Sequence, residues 1–311
     1  MYLDSRKPLR GIFPVLQIPF DAKDAIIEKD LRSEVDYCIE NGCHGLVVPA
    51  LASEFLLLSD SERYFIVETV MRQAAGRVPV IVGVSAATRH SAVDFSLHAV
   101  ENGASAVLAL PPYIRKFNFQ GIFDFFSTIS ENITVPLIIQ NAPAPFGANL
   151  STNSLCILIN EIENVRYIKE ERQPAGHFIS EILEANPERL LGVFGGTAGL
   201  HLLSELSRGA IGCMPSAAMP EFLVDIYEEF ILGNVDAARA LYTNVLPLLN
   251  MEMSLLMGFS KAILLRHGVF TTTRLRDPEF TVLDHKDLAE MDAIFSLLDK
   301  KVDERMTGED K

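Results

Sequence analysis

The chain lacks the usual signatures of metal and sulfur chemistry. Its four cysteines, Cys38, Cys43, Cys156 and Cys213, show no CxxC or CxxH spacing, so neither a zinc site nor a redox pair is predicted. Their neighbours are apolar, and the sequence predicts buried thiols in a reducing compartment. The seven histidines, His44, His90, His98, His177, His201, His267 and His285, form no HxH or HExxH pattern. No metal is therefore expected, and none of them is expected to be catalytic. Positive charge is also scarce: 27 Lys and Arg stand against 41 Asp and Glu, a net charge of −14 with a pI near 5.0. That balance argues against nucleic-acid backbones and anionic membranes, though it leaves room for a small anionic substrate. No hydrophobic run is fit to cross a membrane. Gly11–Phe20 contains Pro14 and Pro19 and runs straight into charge at Asp21, without the small-residue site that ends a secretory signal. The uncharged span from Asn132 to Asn160 is broken by Pro136, Pro143, Pro145 and Gly147. A cytoplasmic protein is predicted.

What is present is a large apolar complement and a strict alternation. At 311 residues, 49% hydrophobic and 22% charged, the chain can bury a substantial core. Short β-like runs alternate with helical patterns. The runs are Gly11–Ile18, His44–Ala50, Pro79–Ser85, Ala106–Leu110, Pro136–Asn141, Val165–Lys169, Leu190–Phe194 and Ala210–Met214. Eight strand–helix units predict an α/β protein, a (β/α)8 TIM barrel over residues 1–233. A doubly wound sheet is the alternative, but no phosphate-binding glycine fingerprint accompanies the units. Ser59, with Glu62 three residues on, marks a helix start, and Asn41-Gly42 a helix end. After Gly233 the strand signals stop. Helices are expected over Asp236–Leu249, Glu252–His267 and Asp284–Asp303, separated by Pro247, Gly268 and the 271–278 loop. The second carries an apolar face of Leu255, Leu256, Phe259, Ile263 and Leu264. This C-terminal helical extension, 234–311, is expected to pack on the barrel or on a second copy, with Thr307–Lys311 frayed.

Lys169 closes the sixth strand, at the end where such barrels keep their chemistry. A neutral amine there can form a Schiff base with a carbonyl substrate. At an ordinary pKa of about 10.4 only about one amine in a few thousand is neutral at pH 7, so burial has to lower that value. Four strand ends converge on the same face: Ala50-Leu51-Ala52-Ser53-Glu54, Pro111-Pro112-Tyr113, Gln140-Asn141-Ala142-Pro143 and Ile168-Lys169-Glu170-Glu171. Residues two apart on a strand share a face, so Glu171 should point where Lys169 points. As a positioned carboxylate it could carry protons; the alternative is a rim pair with Arg172.

With these segments the sequence resembles the dihydrodipicolinate synthase and N-acetylneuraminate lyase family of Schiff-base barrels. The resemblance spans Gly11 to about Val269. It rests on the opening Phe-Pro-Val strand, the Ser-Glu after strand two, Gly76–Gly83, the Pro-Tyr after strand four and the Ile-Lys-Glu of strand six. It implies a covalent imine at Lys169 with no cofactor, a 2-keto acid substrate, and a homo-oligomer, dimer or tetramer, in which Tyr113 reaches a neighbouring subunit's site. The family's two hydroxyls after strand two are missing. The family's Tyr-Asn-x-Pro reads Gln140-Asn141-Ala142-Pro143, and glutamine cannot shuttle a proton. The synthase's arginine is absent near Pro145, and the sialic acid lyase's acidic pair is Gly196-Thr197-Ala198. The segments look most like the 2-keto-3-deoxy sugar-acid dehydratases, among them the 2-keto-3-deoxy-L-arabonate dehydratases. The resemblance thus implies dehydration through a Lys169 imine, with Tyr113 and Glu171 as further catalytic residues. Ser53, Ala52, Gln140, Gly195, Gly196 and Met214 are the candidate substrate contacts. Ser53 could instead hold a turn, Tyr113 could merely pack, and Gly195-Gly196 could be an ordinary turn. Retro-aldol cleavage, synthase-like condensation and a non-catalytic keto-acid-binding barrel are the competing readings.

Overall fold

The computed structural model describes residues 8–307, with side chains described through residue 298. In chain order the elements are β1 (Gly11–Ile12), α1 (Glu28–Glu40), β2 (Leu46–Val48), α2 (Asp60–Ala74), β3 (Val80–Gly83), α3 (Arg89–Glu101) and β4 (Ala106–Ala109). There follow α4 (Phe119–Ser130), β5 (Leu137–Asn141), α5 (Thr152–Glu161), β6 (Val165–Glu170), α6 (Ala175–Ala185), β7 (Gly192–Gly195), α7 (Leu202–Ser207) and β8 (Gly212–Cys213). Helices α8 (Pro220–Ile231), α9 (Val235–Leu255), α10 (Met257–Arg266) and α11 (His285–Thr307) complete the chain. The eight strands pair in parallel, each with its sequence neighbour, and β1 pairs with β8. A bridge between Val15 and Val47, with Val47 N donating to Pro14 O at 2.9 Å, joins β1 to β2 and closes the (β/α)8 barrel. All eight strands fall on the predicted apolar runs; six lie within them, while β6 and β7 each extend one residue further, to Glu170 and Gly195.

Alternation along the strands divides the core into two layers. One set of side chains, including Phe13, Val47, Ile81, Leu108, Ile138, Tyr167, Phe194 and Met214, fills the lumen. The other set faces the helices and merges with them, α9, α10 and α11 included, into one apolar cluster. The lumen is plugged below the catalytic end. Phe13 and Phe194 meet edge to face at 5.5 Å, and the Tyr167 hydroxyl accepts from Leu9 N at 3.1 Å.

Local signals place the helices. Ser59 caps α2, with its hydroxyl accepting from Glu62 N at 3.3 Å and the Glu62 carboxylate accepting from Ser59 N at 2.9 Å. Asn41 caps α1, and Gly42 follows at φ +78°. Pro247 does not separate two helices: it lies within α9, and the break comes at Leu256 (φ +50°, ψ −129°). On α10, Phe259, Ile263 and Leu264 are buried, whereas Leu256 is exposed. Cys38, Cys43 and Cys213 are buried thiols, but Cys156 is only half-buried. Helix α11 runs through Thr307, and the tail from residue 308 lies outside the described residues. Among the described residues no helix is long and apolar enough to cross a membrane.

Candidate active site

The register of β5, β6 and β7 builds the centre of the site. Lys169 stands opposite Gln140 on one side and Phe194 on the other. Two residues up the strand from Tyr167, Lys169 points into the mouth of the lumen. It is 4% exposed. Its Nζ lies 3.2 Å from Glu171 Oε1, and Gln140 Nε2 donates to Glu171 Oε2 at 2.7 Å. One carboxylate therefore bridges the amine and the amide, and three residues predicted for the site meet there.

The opposite face of the same strand ends explains why Glu171 is available. Glu170 points outward and is fully buried. It accepts from Arg172 N, Nε and Nη2 at 2.9, 3.0 and 2.8 Å and from Asn141 Nδ2 at 3.0 Å. Asn141 also holds the next loop, donating to Leu150 O and accepting from Leu150 N. Arg172 is thus committed to Glu170, and the rim pair between Glu171 and Arg172 does not form.

Gly195 and Gly196 leave room for the carboxylates beside them. A β-carbon on Gly196 would sit 2.5 Å from Glu171 Oε1, and one on Gly195 would sit 1.8 Å from Glu205 Oε2. Glu205, on α7, is fully buried, and neither carboxylate oxygen has a hydrogen-bond partner. Burial, followed by the nearby charges of Glu171 and Glu170, pushes its carboxyl up to about 8. It is therefore a neutral acid at pH 7. Buried Cys213 donates to Gly196 O at 3.5 Å, and burial pushes its thiol up. Met214 lies buried in the lumen layer, with its amide donating to Gly195 O at 3.1 Å.

The turn after β2 takes up the hydroxyl of Ser53. Ser53 is fully buried. Its hydroxyl donates to Leu16 O at 2.5 Å and accepts from Ala50 N at 3.1 Å. With its donor spent on Leu16, it ties down the turn Leu51–Ser53 and does not present a hydroxyl to a carboxylate. Ala50 and Ala52 pack against the lumen cluster. The amides of Leu51 and Ala52 open the turn, where no carbonyl precedes them to accept within it. Tyr113 packs edge to face on Phe55 at 5.7 Å, and burial pushes its phenol above the usual value. No hydrogen bond among the described residues joins it to Lys169, Glu171 or Gln140. It lines, with Arg115, Lys116 and Pro145, a cavity of about 710 Å³ between the loops after β4 and β5.

Three of these groups escaped the sequence reading: the outward clamp of Glu170, Asn141 and Arg172; Glu205; and Lys261, described below. Glu205 and Lys261 share one signal, a charged residue inside an otherwise apolar helical stretch (Leu202-Leu203-Ser204-Glu205-Leu206 and Phe259-Ser260-Lys261-Ala262-Ile263). Among the described residues no cluster of three His, Cys, Asp or Glu side chains could hold a metal ion.

A parallel barrel that aims one buried lysine, a glutamine and a glutamate into the mouth of its lumen defines a class of lysine-centred (β/α)8 proteins. The chain belongs to the dihydrodipicolinate synthetase family, which it matches over residues 8–297. It is 34% identical over 275 residues to the L-2-keto-3-deoxyarabonate dehydratase of Azospirillum brasilense, covering 86% of this chain and 88% of that protein. It is 31% identical over 243 residues to the 4-hydroxy-tetrahydrodipicolinate synthase of Methanopyrus kandleri, covering 77% and 80%. Among solved structures, a putative dihydrodipicolinate synthetase from Pseudomonas aeruginosa superposes with a TM-score of 0.86 at 25% identity, over 92% of this chain and 98% of that one. The dihydrodipicolinate synthase of Rhodopseudomonas palustris shows the same fold, with a TM-score of 0.86 at 24% identity over 95% and 99%.

Proposed function

We propose that this family lyase removes water from a 2-keto-3-deoxy sugar acid through an imine on Lys169. The observation that carries the reading is the bridging carboxylate: Glu171 lies 3.2 Å from the amine and is held by Gln140. Glu171 takes the proton of the Lys169 ammonium, and the free amine adds to the C2 ketone. Glu171 returns that proton to the carbinolamine hydroxyl, which leaves as water, so that a protonated imine faces an ionised Glu171 and its positive charge acidifies the C3 hydrogens. Glu171, next to the same nitrogen, is within reach to remove one of them and give the enamine. Collapse of the enamine expels the C4 hydroxyl, which leaves as water after taking up a proton. Hydrolysis of the unsaturated imine then restores Lys169. The imine itself is the electron sink, so the scheme calls on no cofactor or metal.

Dehydration is favoured over retro-aldol cleavage because the latter needs a base on the C4 hydroxyl. The side chain that the resemblance would place there is the amide of Gln140, which cannot accept that proton. Condensation is disfavoured by Pro145, where the resemblance implies an arginine for a second carboxylate. The relative named a dehydratase supports the first route, and those named synthases keep the third as the comparison to assay. The substrate carboxylate is assigned to the amides of Leu51 and Ala52. Tyr113, at the rim beside the open cavity, is assigned to the contact between copies of the chain.

The test is borohydride reduction in the presence of pyruvate and a panel of 2-keto-3-deoxy sugar acids, read by intact mass and peptide mapping. A reduced adduct on Lys169, with water loss catalysed for the best-trapping acid, is the expected result. A well-folded protein that traps no keto acid would be a non-catalytic relative.

A further inference from the structure

A second buried lysine sits over the loop after β2. Lys261, on α10, is fully buried. Its Nζ donates to Glu54 Oε1 at 2.6 Å and to Arg274 O at 2.7 Å, and lies 4.6 Å from the centre of the Phe20 ring. The other oxygen of Glu54 accepts from Arg276 N at 2.8 Å and from Asp277 N at 3.0 Å. Glu54 is thereby held by two parts of the C-terminal region, helix α10 and the strap at 271–277. The strap is itself tied down. Thr271 N and Oγ1 donate to Asp30 Oδ2 at 2.6 and 2.7 Å, and the Arg276 guanidinium donates to Leu57 O at 3.0 Å and pairs with Glu62 at 2.5 Å.

This anchorage matters for the backbone it ends. Glu54 directly follows the turn Leu51–Ser53 and stands at φ +52°, a left-handed conformation that a residue with a β-carbon adopts at a cost. A side chain with three fixed donors can hold that conformation; one without them would let the peptide relax. On its other side the turn is fixed by Ser53 to Leu16 O. Between these two anchors lie Leu51 and Ala52, with Ala52 against the lumen cluster that holds Tyr167 and Phe194, the lumen neighbours of Lys169 on β6 and β7.

We propose that Lys261 is a positioning residue for substrate binding: through Glu54 it fixes the turn whose Leu51 and Ala52 amides receive the carboxylate of the keto acid. The inference rests on the reading of the site given above. It gives the C-terminal helices a part in substrate affinity, although among the described residues none of their side chains belongs to the lumen cluster. The role is in binding and not in the chemical step, because Lys169, Glu171 and Gln140 are held by β5 and β6.

The experiment compares the full-length protein with Lys261→Met, with the double variant Lys261→Met/Glu54→Gln, and with Thr271→Val. It measures borohydride trapping of pyruvate as a function of pyruvate concentration. The double variant removes both charges and so keeps the test open should the unpaired buried charge of the single variant prevent folding. Thr271→Val loosens the strap away from Glu54. For the two Lys261 variants, the half-saturating concentration should rise about tenfold or more while the trapping rate at saturation changes less than about threefold. Thr271→Val should shift in the same direction by a smaller factor. Folded Lys261 variants that melt earlier but keep the parent's half-saturation would show a purely structural brace and overturn the inference alone. A parent protein that traps no keto acid would overturn the reading of the site and the inference with it.

Discussion

Lys169 and Lys261 each face a glutamate at the C-terminal end of the barrel, at 3.2 Å and 2.6 Å, yet the two pairs are finished differently. Lys261 has two hydrogen-bond acceptors and an aromatic face, and both oxygens of its partner are filled. Lys169 pairs with Glu171 alone among the ion pairs of the described residues, and it donates no further recorded hydrogen bond. An ammonium has three N–H donors, so Lys261 is nearly saturated and Lys169 is not. Burial pushes the Lys261 ammonium down and Glu54 opposes that shift. A lysine used as structure is surrounded until it cannot leave. The lysine proposed as the nucleophile keeps unfilled N–H donors and has Glu171 beside it. The comparison teaches that saturation, rather than burial, separates the two roles.

The sharpest way to break the contrast is to remove each lysine. Lys169→Ala should lower turnover by on the order of 10⁴-fold or more and abolish borohydride trapping, as loss of a covalent nucleophile does. Its denaturation midpoint should move little, since Gln140 still holds Glu171. Retention of trapping at another lysine would remove Lys169 from the centre of the site. Glu171→Gln should cost about 10²- to 10⁴-fold in kcat, the range for one general acid–base group. Trapping of a preformed imine should survive in that variant. Equal losses in KM alone would make Glu171 a binding group.

Lys261→Met should behave in the opposite sense. It leaves the fully buried Glu54 without its counter-ion, and breaking a buried pair from one side costs about 3–5 kcal/mol. Urea denaturation should show a loss of that size, larger than that of Lys169→Ala, with kcat nearly kept. A smaller loss in Lys261→Met than in Lys169→Ala would invert the assignment of structural and reactive lysine.

How much of this was legible depends on sequence distance. The eight strands follow from short apolar runs alternating with helical patterns, and the shared face of Lys169 and Glu171 from their two-residue spacing, with Gln140 beside Lys169 on the neighbouring strand. Glu54 and Lys261 are 207 residues apart, and no local pattern pairs them. The sequence left Ser53 open between substrate contact and turn because the acceptor of its hydroxyl, Leu16 O, lies 37 residues back on a different strand exit. Pro247 suggested a helix end, yet α9 continues to Leu255, where Glu252 is gripped by Ser216 and by Ser260 at 3.0 Å. Tertiary packing outweighed the proline there, and the break fell at Leu256, a residue type that carries no breaker signal.

Glu205 offers the mildest test of the same contrast, because it is a buried carboxyl with no partner at all. Its folded-state pKa, about 8, stands above the unfolded value of about 4.3. Between those values the folded chain binds a proton that the unfolded chain has released. Stability should therefore fall as pH rises from about 4.3 to about 8 and level off above, by linkage. Glu252, raised to about 7 by burial, contributes in the same direction over a slightly narrower window. Glu205→Gln should keep the shape of the neutral acid, flatten the upper part of that decline and raise the melting temperature at pH 9 relative to the parent. Thermal melts at pH 5, 7 and 9 read the effect directly. A parent protein whose stability is flat across that range would mean that a charged Glu205 is solvated after all, and that a buried, unpartnered acid does not lie behind Gly195.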